Sequence, residues 1–115
     1  MEEMALIYTT WPDAETAEAA AEKAVEARLA ACANILAPMR SIYRWDGQVR
    51  RETEVPMLLK TRMSLSGTLR DMLMRLHPYE VPCVVVCPLL KTGSNTEFLA
   101  WIEEQTREAI QPADE

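Results

Sequence analysis

The densest cluster of polar side chains on a constrained backbone is His77-Pro78-Tyr79-Glu80-Val81-Pro82. Two prolines fix the path of the chain here, so the side chains between them are aimed rather than waving. His77 is the only histidine. A neutral imidazole can ligate a metal, and at a helix C-terminus a charged one is favoured by the backbone dipoles. One histidine does not make a metal site, so a ligand role and a structural one both stay open. Cys32 follows Ala30-Ala31 at a helix-to-strand junction, as a ligand thiol, a nucleophile or an inert buried side chain. Lys60 ends an apolar run and can snorkel to solvent, or meet Glu54, Glu80 or an anionic ligand. Glu54, Lys60, Tyr79 and Glu80 are therefore the candidates for lining a ligand pocket.

Other chemistries lack their parts. There are no paired carboxylates at catalytic spacing, no Cys/His ligand cluster, no nucleophile elbow and no glycine-rich phosphate loop. Three glycines in the whole chain leave little to cradle a phosphate. The expectation is a protein that is not an enzyme. Cys83 and Cys87 fall on one face of a strand about 13 Å apart, too far for one metal or one disulfide. With Cys32 they make an odd number, which predicts free thiols in a reducing compartment. Seven methionines suggest a soft-metal site, but Met57 and Met72 fall on apolar faces and suit core filling.

At 115 residues the chain is expected to form one domain, residues 1–115. A net charge of −6 argues against nucleic acid and against anionic membrane surfaces. No apolar run is long enough to span a bilayer and no signal-like start is present, so the expected location is cytoplasmic.

The elements that must position these residues are legible in order. Met4–Thr10 is apolar and β-branched and predicts a buried strand. Asp13 can cap a helix running from Ala14 to about Ala31, with Ala17, Ala21, Val25 and Leu29 inward. Glu15, Glu18, Glu22 and Glu26 line its solvated side. Asn34 to Thr61 predicts a long hairpin around Asp46-Gly47. Placing Tyr43 and Trp45 on one face with Val49, Val55 and Met57 requires the three-residue loop Trp45-Asp46-Gly47, with Gly47 left-handed at a bulge. Pro56 cannot donate to a ladder, so an edge or bulge is expected there. Ser64 or Ser66 can cap a second helix with Leu65, Leu69, Met72, Leu73 and Leu76 inward, ended at His77 by Pro78. Val81–Leu90 predicts a covered strand. Ser94-Asn95-Thr96-Glu97 is a capping box for a helix through Phe98, Trp101, Ile102 and Ile110, ended near Pro112, with a frayed tail after it.

This order is the split β-α-β pattern: an α+β, ferredoxin-like fold with helices on one sheet face, a long central hairpin and an extra C-terminal helix. Each hairpin arm of about 12 residues reaches about 40 Å, whereas a chain this size has a radius of gyration of about 13 Å. The tip, with Tyr43 and Trp45, is therefore expected to pack on another subunit.

The residues Leu29-Ala30-Ala31-Cys32-Ala33-Asn34-Ile35, Ser41-Ile42-Tyr43-Arg44-Trp45-Asp46-Gly47, Glu54 through Thr61, His77-Pro78-Tyr79-Glu80-Val81-Pro82 and Trp101-Ile102 resemble the CutA family of divalent-cation-tolerance proteins. The resemblance implies a ferredoxin-like homotrimer, PII-like in architecture, linked to copper and other divalent ions without established catalysis. His77 and Cys32 match family positions proposed as copper ligands. Leu76, Thr9 and Cys83 stand where some members carry histidine, cysteine and glutamate. The expected function is weak copper or other divalent-cation binding linked to metal tolerance. The alternatives are a PII-like sensor of a small organic or anionic ligand in intersubunit clefts, and an interaction scaffold.

Overall fold

The structure, a computed structural model, describes residues 1–109. Its central element is β1, Met4–Trp11, whose apolar and β-branched residues leave no side strongly exposed. Strand β4, Gln48–Arg62, pairs antiparallel along the whole of β1, from Met4 opposite Arg62 to Trp11 opposite Val55. Strand β5, Val84–Leu89, pairs on the other side of β1. Strand β2, Cys32–Ile35, lies outside β4, and β3, Met39–Trp45, continues along β4's far half. The order β2-β4-β1-β5 is that of the ferredoxin-like fold, as expected.

Helices α1, Ala14–Glu26, and α2, Ser66–Leu76, cover one face. Ala17, Ala20, Ala21 and Ala24 of α1 meet Ile7, Trp11, Met57 and Leu59 of the sheet and Leu69, Met72 and Leu73 of α2. Alanine's small side chain lets the helix lie close to the strands. Asp13 caps α1 as expected, accepting from the Thr16 amide at 2.8 Å. The helix stops earlier than its composition suggests. The Leu29 amide donates to the Ala24 carbonyl and the Arg28 amide to that of Val25, the Schellman closure, with Arg28 left-handed at φ 60°. Val25 is consequently 40% exposed rather than inward, while Leu29 is buried beyond the helix.

The other face is not left wholly bare. Helix α3, Thr96–Gln105, sets Leu99 and Ile102 on Met4, Ala31 and Leu89 at one end of the sheet. Asn95, not Ser94, caps α3, accepting from the amides of Glu97 and Phe98; the Ser94 hydroxyl turns back to the Leu90 carbonyl. Ile110, the stop near Pro112 and the tail lie outside the described residues. Strand β5 is shorter than expected and forms a sheet edge, so Val85 and Val86 are exposed rather than covered.

The hairpin differs from expectation in register. Trp45 sits opposite Gln48, and Asp46 and Gly47 both have positive φ, 51° and 73°, which makes a two-residue type I′ turn. Tyr43 and Trp45 therefore share a face with Arg50, Glu52 and Glu54, not with Val49. The parity changes at a bulge. The Leu36 amide reaches the Pro56 carbonyl while Met39 is opposite Glu54, so three steps on one strand match two on the other. Pro56 has no N–H to offer on that side, and the bulge expected there is present.

Neither Ser64 nor Ser66 caps α2. A short 3₁₀ turn, Met63–Leu65, precedes it, and the Ser66 hydroxyl donates to the Met63 carbonyl at 2.7 Å. Glu2 serves this end instead, accepting from the Ser64 amide at 3.1 Å, its hydroxyl at 3.0 Å and Arg62 at 3.2 Å. Arg62 reaches on to the Thr106 carbonyl at 2.6 Å, tying the chain start to the end of α3. Burial opposes ionisation of Glu2, but the Ser64 bonds and the Arg62 charge outweigh it and hold the carboxyl below its ordinary 4.5.

Two stability outcomes follow. A carboxyl with a lowered folded-state pKa stabilises above 4.5 and ceases to as pH falls through its folded value. Glu2→Gln should therefore flatten the acid limb of a circular-dichroism stability profile; an unchanged limb would exclude Glu2. Arg28→Gly should stabilise by about 1 kcal/mol in denaturant unfolding, since glycine adopts the left-handed geometry without strain; destabilisation would contradict the strained cap.

Candidate functional site

The site is built where α2 stops. Pro78 takes His77 out of helical geometry to ψ 136°, which turns its ring back onto the end of β1. The imidazole is buried. Its Nε2 lies 2.7 Å from the Thr10 carbonyl and its Nδ1 lies 3.1 Å from the Tyr79 amide nitrogen. The amide can only donate, so Nδ1 is the acceptor and Nε2 carries the proton. The Trp11 ring stacks on it at 4.3 Å and Tyr79 tilts against it at 4.7 Å. Trp11 is held in turn: its Nε1 donates to Thr9 Oγ1 at 2.7 Å, which donates to the Met57 carbonyl at 2.9 Å. His77 thus anchors the 77–83 loop to the sheet.

Cys32 is not brought near it. Cys32 lies opposite Lys60, itself opposite Leu6, whereas His77 bonds to Thr10 four residues further along β1. Its Sγ is 3.8 Å from the Lys60 ammonium, which donates to Asn34 Oδ1 at 2.7 Å and stands 5.8 Å above the Phe98 ring. Lys60 therefore meets neither Glu54 nor Glu80 and lies outside the pocket described next. Among the described residues no three His, Cys, Asp or Glu side chains converge to hold a metal ion. Both His77 nitrogens are occupied, so a metal there must displace a bond. The described residues of one chain do not fit a complete metal site.

What the structure does assemble is a cleft of about 700 Å³ where the hairpin leaves the sheet. Tyr8 and Thr10 of β1 lie at its base. Tyr43, Trp45, Glu52 and Glu54 form the hairpin wall, and Tyr79, Glu80 and Cys83 the loop wall. Glu54, Tyr79 and Glu80 thus come together with Tyr43 and Trp45, which sequence reasoning had placed only at a subunit contact. The cleft's field is negative. Desolvation raises the Tyr43 phenol, and the bond to Glu52 with the charges of Glu52 and Glu54 raises it further, against a lowering by Arg50. Tyr79 is raised by desolvation and then by Glu54 and Glu52. Cys83 is pushed up by desolvation, opposed by its bond to Thr10. Glu52 and Cys83 were missed as site residues. The I′ register of Asp46-Gly47 was the signal for Glu52, since it places Glu52 on Tyr43's face.

His77→Ala should cost about 2 kcal/mol or more of unfolding free energy, because it leaves the Thr10 carbonyl and the Tyr79 amide without partners. Exchange of the Tyr79 amide should quicken with it. A variant with unchanged stability and exchange would show that the ring does not anchor the loop.

Comparison with known proteins agrees with this geometry. The family model for CutA1 divalent ion tolerance protein matches residues 5–105. The divalent-cation tolerance protein CutA of Thermus thermophilus is 42% identical over 106 residues, 92% of this chain and 99% of that protein. The crystal structure of CutA1 from Oryza sativa superposes with a TM-score of 0.87 at 33% identity, covering 94% of this chain and 97% of that one. The Thermus thermophilus structure gives a TM-score of 0.85 at 39% identity, covering 90% and 98%. Sheet order, overlong hairpin and chain-long similarity lead to one conclusion: this protein belongs to the CutA1 divalent ion tolerance family.

Proposed function

We propose that the protein acts in divalent-cation tolerance as a homotrimer that binds its ligands without transforming them, with copper as a weakly held cation. The observation that carries the assembly is the overhang of the hairpin. Strand β4 pairs with β1 only as far as Val55, so from Gln48 to Glu54 it has β3 on one side and, among the described residues, no strand on the other. Strand β5 is a second free edge. Ile42 and Val49 on the overhang are 62% and 59% exposed. Free edges with exposed apolar side chains invite pairing with another chain. Two different edges on one chain make a head-to-tail contact, which gives a ring when the rotation between copies closes after three. Tyr43 and Trp45 sit on the overhang and are the proposed contacts.

Copper is supported by the divalent-ion tolerance family and by the chain's net charge of −6, not by a ligand cluster. A copper ion at His77 has to break one of the ring's two bonds and draw further donors from Cys32, Glu80, a neighbouring subunit or water. Such a site is weak, with Cu(II) ahead of Zn(II). Free Cys32, Cys83 and Cys87 suit a reducing compartment such as the cytoplasm. The cleft favours a second reading, a PII-like sensor of a small ligand between subunits. Its carboxylates favour a cation over the anion first considered.

Sedimentation at micromolar concentration should give three times the monomer mass, with melting that depends on protein concentration. Trp45→Ala should loosen the assembly while Glu22→Ala should not; a stable monomer would contradict the reading. Calorimetric titration should show weak Cu(II) binding that weakens at acid pH and is lost in His77→Ala. A thiol site would instead prefer Cu(I), taken anaerobically, and be lost in Cys32→Ser. Identical copper binding by wild type and both variants would remove both residues from the site.

A further inference from the structure

Cys32 and Lys60 stand opposite each other on β2 and β4, on the sheet face that α1 and α2 leave uncovered. The Lys60 Nζ is 3.8 Å from the Cys32 sulfur, so an amine and a thiol are already in contact. The amine is held there. Asn34 Oδ1, two residues along β2 on the same face, accepts from it at 2.7 Å, and the Phe98 ring lies 5.8 Å away. Cys32 is partly exposed, so a small oxidant can reach its sulfur. Strand β2 lies on the side of β4 away from β1 and β5, apart from the two edges assigned to the subunit contact. We propose that this pair is a reversible oxidation site, where a hydroperoxide joins the Cys32 sulfur to the Lys60 nitrogen as a sulfenamide.

The chemistry balances in two steps. The Cys32 sulfur takes one oxygen from the hydroperoxide: an S–O bond forms, the O–O bond breaks, and sulfenic acid and water result when the oxidant is hydrogen peroxide. The Lys60 nitrogen, having given one proton to water, then attacks the sulfur. The S–N bond forms, the S–O bond breaks, and the departing oxygen leaves as a second water with a proton from the nitrogen. The sulfur is oxidised by two electrons and the hydroperoxide is reduced by two. The linked nitrogen keeps one hydrogen for Asn34 to accept. A nucleophile held in contact outcompetes one arriving from solution. It also intercepts the sulfenic acid before the irreversible step to sulfinic acid, so a reductant can restore the thiol. Cys87 supplies the comparison. It is exposed on β5 opposite Leu6, and no amine hydrogen-bonds to it among the described residues.

The link is independent of copper, and its consequence rests on the reading of Cys32 as a Cu(I) donor: a sulfur bonded to nitrogen gives up that ion. The test treats the reduced, assembled protein with an equal amount of hydrogen peroxide, blocks remaining thiols, and maps the peptides by mass spectrometry. The Cys32 and Lys60 segments should appear as one species, about 2 Da lighter than their sum, and separate on reduction. Recovery of Cys32 as sulfinic acid apart from Lys60, or an unreacted Cys32 beside an oxidised Cys87, would overturn the proposal. Lys60→Met should give no link and roughly tenfold more Cys32 sulfinic acid; equal amounts in both proteins would also overturn it. The wild-type map decides the matter if that variant does not fold. Cu(I) bound anaerobically should be released by the peroxide treatment and taken up again after reduction. Cu(I) retained on the linked protein would overturn the Cys32 donor reading and leave the link standing.

Discussion

The structure depends on a mismatch of strand lengths. Strand β4 has 15 residues and β1 has 8, and their pairing is in register from the β1 start. The remaining residues, Gln48 to Glu54, must leave the sheet with only β3 beside them. The radius of gyration is 14.7 Å, above the value of about 13 Å for a compact chain of this size, which is the overhang expressed as shape. The cleft lies where β1 ends and the hairpin goes on. Two of its carboxylates, Glu52 and Glu54, come from the overhang, and so do the free strand edge and the exposed apolar side chains.

A cleft is useful only if its walls hold still. The hairpin wall is pinned by the I′ turn at one end and by the Pro56 bulge at the other. The loop wall has no strand of its own until Val84. It is held instead by a chain of contacts from the sheet: Met57 to Thr9, Thr9 to Trp11, Trp11 stacked on His77, and His77 bonded to Thr10 and Tyr79. This makes the single histidine a positioning residue for Tyr79 and Glu80. The same bonds stand in the way of its use as a metal ligand.

Most of the fold was legible in the sequence because it rests on local signals. Asp13 before an alanine-rich run marked the start of α1, and Pro78 after His77 marked the end of α2. The element order alone indicated the ferredoxin-like sheet. Other features depend on partners distant in sequence. Glu2 replaces the serine caps of α2 from 62 residues away, a contact no local pattern encodes. The hairpin register was misjudged because apolar residues of both arms were assumed to share one face. The bulge between Leu36 and Met39 lets Ile35 and Met57 face the core while Tyr43 and Trp45 face the cleft with Glu52 and Glu54. For the candidate site, Glu54, Tyr79 and Glu80 were identified by type and do meet. Lys60 was placed with them only by its position on the same strand, and it turns to Asn34 and Cys32 at the other end.

The central claim is that the free edge of the overhang is covered by another copy of the chain. Alternation along β4 points the amides of Val49, Arg51 and Thr53 away from β3, where no strand among the described residues pairs with them. Their hydrogen–deuterium exchange in the intact protein, read residue by residue, tests the claim most directly. The account predicts protection comparable to that of the β1 amides, lost on dilution below the concentration at which the assembly dissociates. Exchange at the unprotected rate at every concentration, with β1 still protected, would contradict it.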